Sequence, residues 1–182
     1  MAENETWLIK KLRAAMDAAS DPLMRNVSLV VRPHPGNFKI YRDFDLPRTW
    51  LIPREGALPN IPDALQLFYD TLHYAAAVVV GVNTSSVIET VIADKPVVAL
   101  LTDEYRKTQT ETQHFQQLLA TDAVACAATP EEGVTVLGHL IAGQDHWRAE
   151  RAKFVATYIR TCVRDKIAGE LAADEIETLF HI

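Results

Sequence analysis

"VVVGVNTSSVIET", residues 78 to 90, changes character twice within its length. An unbroken apolar run stops at four small polar residues, Asn83 to Ser86, and apolar residues then resume at helical spacing around one glutamate. This pattern predicts a strand over 77 to 82, a tight polar turn, and a helix over 86 to 93 with Val87, Val91 and Ile92 on its buried side. The first amides of such a helix lack internal partners and carry the positive end of its dipole, so small residues there let an anion such as a diphosphate approach the backbone. Ser85 and Ser86 add hydroxyl donors, and Asn83 or Thr84 can cap the helix. Glu89, one turn in, suits a pair of ribose or sugar hydroxyls. The same residues also fit a plainer account, an N-cap cluster followed by an acid favourably placed near a helix amino terminus.

A second constellation lies upstream. "RPHPG", residues 32 to 36, follows the β-branched run "NVSLVV" and ends it with two prolines, as expected where a strand opens into a loop. In open parallel sheets ligands collect at the carboxyl ends of strands, which puts both motifs on one rim. Arg32 is suited to neutralising a phosphate. His34, between prolines that restrict its backbone, can donate to a phosphate oxygen or act as an acid. A rigid loop exit with an exposed histidine is the alternative.

The rest of the chain alternates helix and strand. Leu8, Leu12, Ala15, Met16 and Ala19 predict an amphipathic helix over 5 to 20, closed by "SDP". "TWLIP" at 49 to 53 reads as a strand, and "PDALQLFYDTLHYAA" as a helix with Leu65, Phe68, Leu72 and Ala75 on one face. "AVVVGV" and "PVVALL" are continuous apolar runs, as in strands covered on both sides. After the strand "AVACA", Thr129 is the expected N-cap of a helix with Pro130 at its first position and Glu132 completing a capping box. From Gln144 onward one or two helices follow, with Trp147, Phe154, Ile159 and Val163 as core contacts. These elements predict an α/β fold, a Rossmann-like parallel sheet with helices on both faces. The series opens on a helix, so its first strand is expected to be absent or supplied from elsewhere.

With 182 residues, 48% of them hydrophobic, the chain is expected to form one domain, residues 1 to 182. A formal charge of −6 and no basic stripe argue against a nucleic-acid partner. No stretch reaches the roughly 20 apolar residues of a membrane span. Cys126 and Cys162 lack metal or redox spacing, which points to a reduced, cytoplasmic chain and no metal. Lesser candidates are Asp70 as a brace for the polar turn, Arg54 and Glu55 beside a nucleobase, Tyr105 with Arg106 and Lys107 near phosphate, and His114 at a cleft. Each has a structural or solvated alternative.

With "RPHP" followed by "LFYDTLHYAAAVVVGVNTSSVIETVIADKPVVAL", the chain resembles the carboxyl-terminal half of GT-B glycosyltransferase-type enzymes. The nearest groups are the CDP-glycerol glycerophosphotransferases and related surface-polysaccharide transferases, with the UDP-N-acetylglucosamine 2-epimerases as more distant cousins. The similarity runs from about Val27 to Leu119. It implies a nucleotide-activated sugar or glycerol as donor substrate, no separate cofactor, and metal-independent transfer. Ser85 and Ser86 would then lie at the diphosphate with Asn83 and Thr84 in the same turn, Glu89 near the ribose or donor sugar, and His34 at the reacting phosphate or glycosyl group. Arg32 would help stabilise the departing nucleotide. The family often has glycine at the place of Asp94, which implies a left-handed backbone there. The resemblance further implies a partner, an amino-terminal GT-B domain carrying the acceptor site, without which turnover is not expected. It is compatible with peripheral association of a longer parent at the inner membrane face. A sugar-nucleotide 2-epimerase half and a non-catalytic Rossmann-like interaction module are the alternatives.

Overall fold

The computed structural model describes residues 5–34, 36–53, 62–82, 84–160 and 166–180. In chain order the elements are α1 (Thr6–Ala18), α2 (Pro22–Asn26), β1 (Leu29–Val31), β2 (Thr49–Leu51), α3 (Pro62–Tyr74), β3 (Val78–Val80), α4 (Ser86–Ile92), β4 (Val97–Leu100), α5 (Gln113–Leu119), β5 (Ala125–Ala127), α6 (Pro130–Ile141), α7 (Arg148–Phe154) and α8 (Ala168–Phe180). A π-helical turn, Val155–Ile159, continues α7. All strand pairings are parallel. The fold is α/β and Rossmann-like, with helices on both faces.

β4 lies at the centre because all four of its residues are apolar and buried. Its side chains alternate between the two faces. Val98 and Leu100 join Ala125 and Ala127 of β5 under α1 and α6, where Leu8, Leu12, Met16, Val134, Leu137 and Leu140 close the layer. Val97 and Ala99 face the other way, onto Val87 and Val91 of α4, Phe115 and Leu118 of α5, and Phe154 of α7. The capping chemistry expected for α6 is present. Thr129 Oγ1 accepts from the Glu132 amide at 3.2 Å, and Glu132 Oε2 accepts from the Ala128 amide at 2.8 Å.

Several details differ from the sequence pattern. The strands form two sheets, β1-β2 and β3-β4-β5, rather than one. β3 was expected to be covered on both sides, yet only Val80 is fully buried; Val78 and Val79 are half-buried, and among the described residues β3 pairs with β4 on one edge alone. On α4 the buried set is Val87, Thr90 and Val91, while Ile92 is 46% exposed. A seven-residue helix closes too soon for Ile92 to reach the sheet. Thr90 replaces it by turning its hydroxyl back onto the Ser86 carbonyl at 2.6 Å. On α3 only Leu72 is fully buried, and Leu65 is exposed. Ile159 is exposed as well. Val163 lies outside the described residues. A short helix not read from the sequence, α2, starts at Asp21, whose carboxylate accepts the Leu23 amide at 2.8 Å.

Candidate functional site

α1 anchors the rim at which β1, β3 and β4 end. Its amino terminus carries Glu5, whose carboxylate accepts from Asn37 Nδ2 at 2.7 Å and from the Tyr41 hydroxyl at 3.2 Å. Burial and the nearby Glu5 carboxylate push the Tyr41 hydroxyl upward, so it remains a protonated donor. The loop after β1 is thereby pinned to α1. Within it His34 is exposed and its Nδ1 accepts from the Gly36 amide at 3.0 Å. An Nδ1 that accepts places the proton of the neutral ring on Nε2, which becomes an outward donor. A histidine in that form can donate a hydrogen bond to solvent or to an oxygen placed against it.

Arg32 is half-buried at the end of β1. Its guanidinium carbon lies 4.4 Å from the Phe68 ring centroid, and Nη1 donates to Thr71 Oγ1 at 2.9 Å. Burial pulls Arg32 down from its ordinary value, and the Glu89 carboxylate works in the opposite direction. Glu89 belongs to the first turn of α4, and its carboxylate opposes the effect of burial on Arg32. This electrostatic tie joins residues separated by most of a βαβ unit.

The polar turn itself is smaller as an anion seat than the sequence suggests. The Ser86 amide is bonded to Thr84 Oγ1 at 3.3 Å, the Val87 amide to the Thr84 carbonyl, and the Ile88 amide to the Ser85 carbonyl. Thr84 Oγ1 also donates to Ser86 Oγ at 3.3 Å. Ser85 is exposed, stands at the N-cap and makes no side-chain cap bond. The rim therefore offers hydroxyls and a guanidinium more than it offers bare amides. Asn83 lies outside the described residues, as do Arg54, Glu55 and Cys162.

Among the lesser candidates Asp70, Tyr105 and Arg106 make contacts within the fold. Asp70 accepts from Gln66 within α3 at 2.8 Å and is exposed. Tyr105 is buried and stacks on Trp7, centroids 6.3 Å apart, so it fastens the exit of β4 to α1. Arg106 pairs with Glu111 at 3.2 Å, and Lys107 is exposed. His114 is exposed on α5. Nearby, a groove of about 420 Å³ opens where β4 and β5 end, lined by Trp7, Lys11, Thr102, Asp103, Glu104 and Glu131. Three acids against one lysine make it unsuited to a phosphate. Among the described residues no group of three or more His, Cys, Asp or Glu is placed to hold a metal ion. Among the described residues no helix is long and apolar enough to cross a membrane.

The residues that sequence inspection missed are Glu5, Asn37 and Tyr41, which orient the His34 loop across more than thirty positions. Nothing in their local pattern signals the pairing. A scan against protein families, a search of curated proteins and a search of solved structures each return no match.

Proposed function

We propose that this chain is the donor-binding half of a nucleotide-sugar-dependent glycosyltransferase or of a CDP-glycerol-type glycerophosphotransferase. Support comes above all from the placement of Arg32 directly after β1 and of Ser85, Ser86 and Glu89 at the start of the helix after β3, at the carboxyl ends of two strands. Here Arg32 would meet the diphosphate, His34 Nε2 would donate to the phosphate or glycosyl oxygen that develops charge, and the Ser85 and Ser86 hydroxyls would orient the phosphates. Glu89 would hold two vicinal hydroxyls of the ribose or donor sugar. Transfer in this scheme relies on hydrogen bonds and fixed positive charge, and the acceptor comes from a second domain. The protein alone would bind donor weakly and turn over little.

Isothermal titration with UDP, CDP and GDP at millimolar concentration tests this. Binding of at least one, abolished in Ser85→Asp, is the expected outcome. Ser85 is exposed and makes no cap bond, so the substitution leaves the fold intact while setting a charge against the phosphates. Unchanged affinity in Ser85→Asp removes the site assignment. Failure of all three nucleotides favours a non-catalytic interaction module, to which the locally satisfied amides of 86 to 88 lend weight.

A further inference from the structure

β4 ends on a polar side chain that the fold leaves unused. Val98 and Leu100 face α1 and α6, and Thr102 continues their register because the strand stays extended beyond Leu100. The Leu101 amide still donates to the Ala127 carbonyl at 2.8 Å, and Thr102 has φ −90° and ψ 149°. The Thr102 side chain is therefore aimed between the two helices, into the groove of about 420 Å³ where β4 and β5 end. Thr102 is 8% exposed, and among the described residues its hydroxyl has no hydrogen-bond partner. A buried hydroxyl without a partner is costly, and what lies beside this one is an open groove.

The walls of the groove select for positive charge. Asp103 and Glu104 follow the end of β4, and Glu131 stands in the first turn of α6. Among the described residues none of these three carboxylates is in an ion pair. Lys11, the cation of the groove, sits instead over the Trp7 ring, with Nζ 4.7 Å from the centroid. It is a tethered ammonium already resting on the aromatic wall. The stack on Tyr105 holds Trp7, so that wall is in place before anything binds. A bare metal ion does not fit the arrangement, since among the described residues no three acidic, histidine or cysteine side chains are placed to share one. Separate carboxylates beside an aromatic wall suit a longer cation, with its charges at intervals.

We propose that this groove binds a small linear aliphatic polyamine, its ammonium groups divided between the Trp7 face, the Thr102 hydroxyl and the carboxylates of Asp103, Glu104 and Glu131. Binding displaces Lys11 from the ring. None of these residues belongs to the nucleotide rim, so the inference stands or falls without that reading.

Isothermal titration of the 182-residue chain with spermidine at low ionic strength is the test. Spermidine is expected to bind at a single site, and joint Glu104→Gln and Glu131→Gln should weaken it about tenfold. Lys11→Met should tighten it about threefold by removing a competing cation. Thr102→Val should weaken it about threefold and yet raise the thermal midpoint, because the orphan hydroxyl goes with little change of shape. A threonine with no part in binding would move the midpoint alone. Joint Glu175→Gln and Glu177→Gln on α8 remove as much charge elsewhere and should leave the affinity unchanged. The proposal is overturned by a lack of binding at millimolar spermidine, or by Thr102→Val binding as wild type does. It is equally overturned if the α8 variant loses as much affinity as the groove variant, or if magnesium at matched charge competes as well as spermidine, since both report diffuse attraction to an acidic protein.

Discussion

Arg151 and Asp145 form a two-pronged ion pair: Nη1 donates to Oδ1 at 2.9 Å and Nη2 to Oδ2 at 2.6 Å, with the arginine side chain 1% exposed. Nη2 also reaches Asp94 Oδ1 at 3.2 Å, so one guanidinium fastens α7 to the residues after α4. Hydrogen bonds from Arg151 hold the Asp145 carboxyl below its ordinary range, despite burial acting the other way. Asp145 therefore contributes stability above the unfolded value, near pH 4, and loses it as pH falls through the lowered folded value. Arg151→Leu should cost about 3 kcal/mol at pH 7 in urea unfolding. The difference from wild type should shrink as pH falls below about 4. A difference that stays constant down to pH 2 would show that the pair contributes nothing specific.

Leu8 sits so close to Gly81 that a Cβ on the glycine would fall 2.1 Å from Leu8 Cδ2. Leu8 is buried and has little freedom to turn away. Gly81→Ala should destabilise by about 1–3 kcal/mol through overpacking. Leu8→Ala should cost about 2–5 kcal/mol through the cavity it leaves. In the double mutant the methyl enters the vacated space, and the combined loss should be smaller than the sum. Strict additivity would mean that the two residues do not contact in solution.

Asp94 and Asp122 both have positive φ, 51° and 52°. Glycine removes the left-handed penalty at either position, but Asp94 also holds Arg148 at 2.9 Å and Arg151. Asp122→Gly should therefore raise stability by about 0.5 kcal/mol. Asp94→Gly should lower it by about 1–2 kcal/mol as Arg151 loses a partner. The check is the opposite sign of the two shifts in thermal midpoint.

Glu89 acts on Arg32 without touching it in a hydrogen bond, which separates two roles that binding experiments can distinguish. Glu89→Gln should strengthen inorganic pyrophosphate, about threefold, by removing a repelling charge. It should weaken CDP or UDP several-fold through poorer bonds to ribose hydroxyls. Parallel changes for both ligands would remove Glu89 from the sugar side.

Legibility in the sequence tracked how local the cause was. β4 announced itself because four consecutive apolar residues have nowhere to go but a doubly covered strand, and α6 because Thr129, Pro130 and Glu132 act within one turn. The rim motifs were placed correctly at strand ends, since a proline-terminated strand and a polar turn are both short-range signals. Ile92 was misplaced because helical spacing does not reveal where a helix stops, and α4 stops after two turns. The division into two sheets, and the grip of Glu5 on the His34 loop, depend on residues brought together from distant parts of the chain.

The pairing of α1 with α6 has a consequence for synthesis. Leu8, Leu12 and Met16 are covered by Val134, Leu137 and Leu140, which emerge from the ribosome more than a hundred positions after them. Until then the nascent chain carries an open greasy stripe along α1, and chaperone occupancy should peak over that interval. Translation that stalls before Pro130 should release a product unable to bury α1, which degradation would clear.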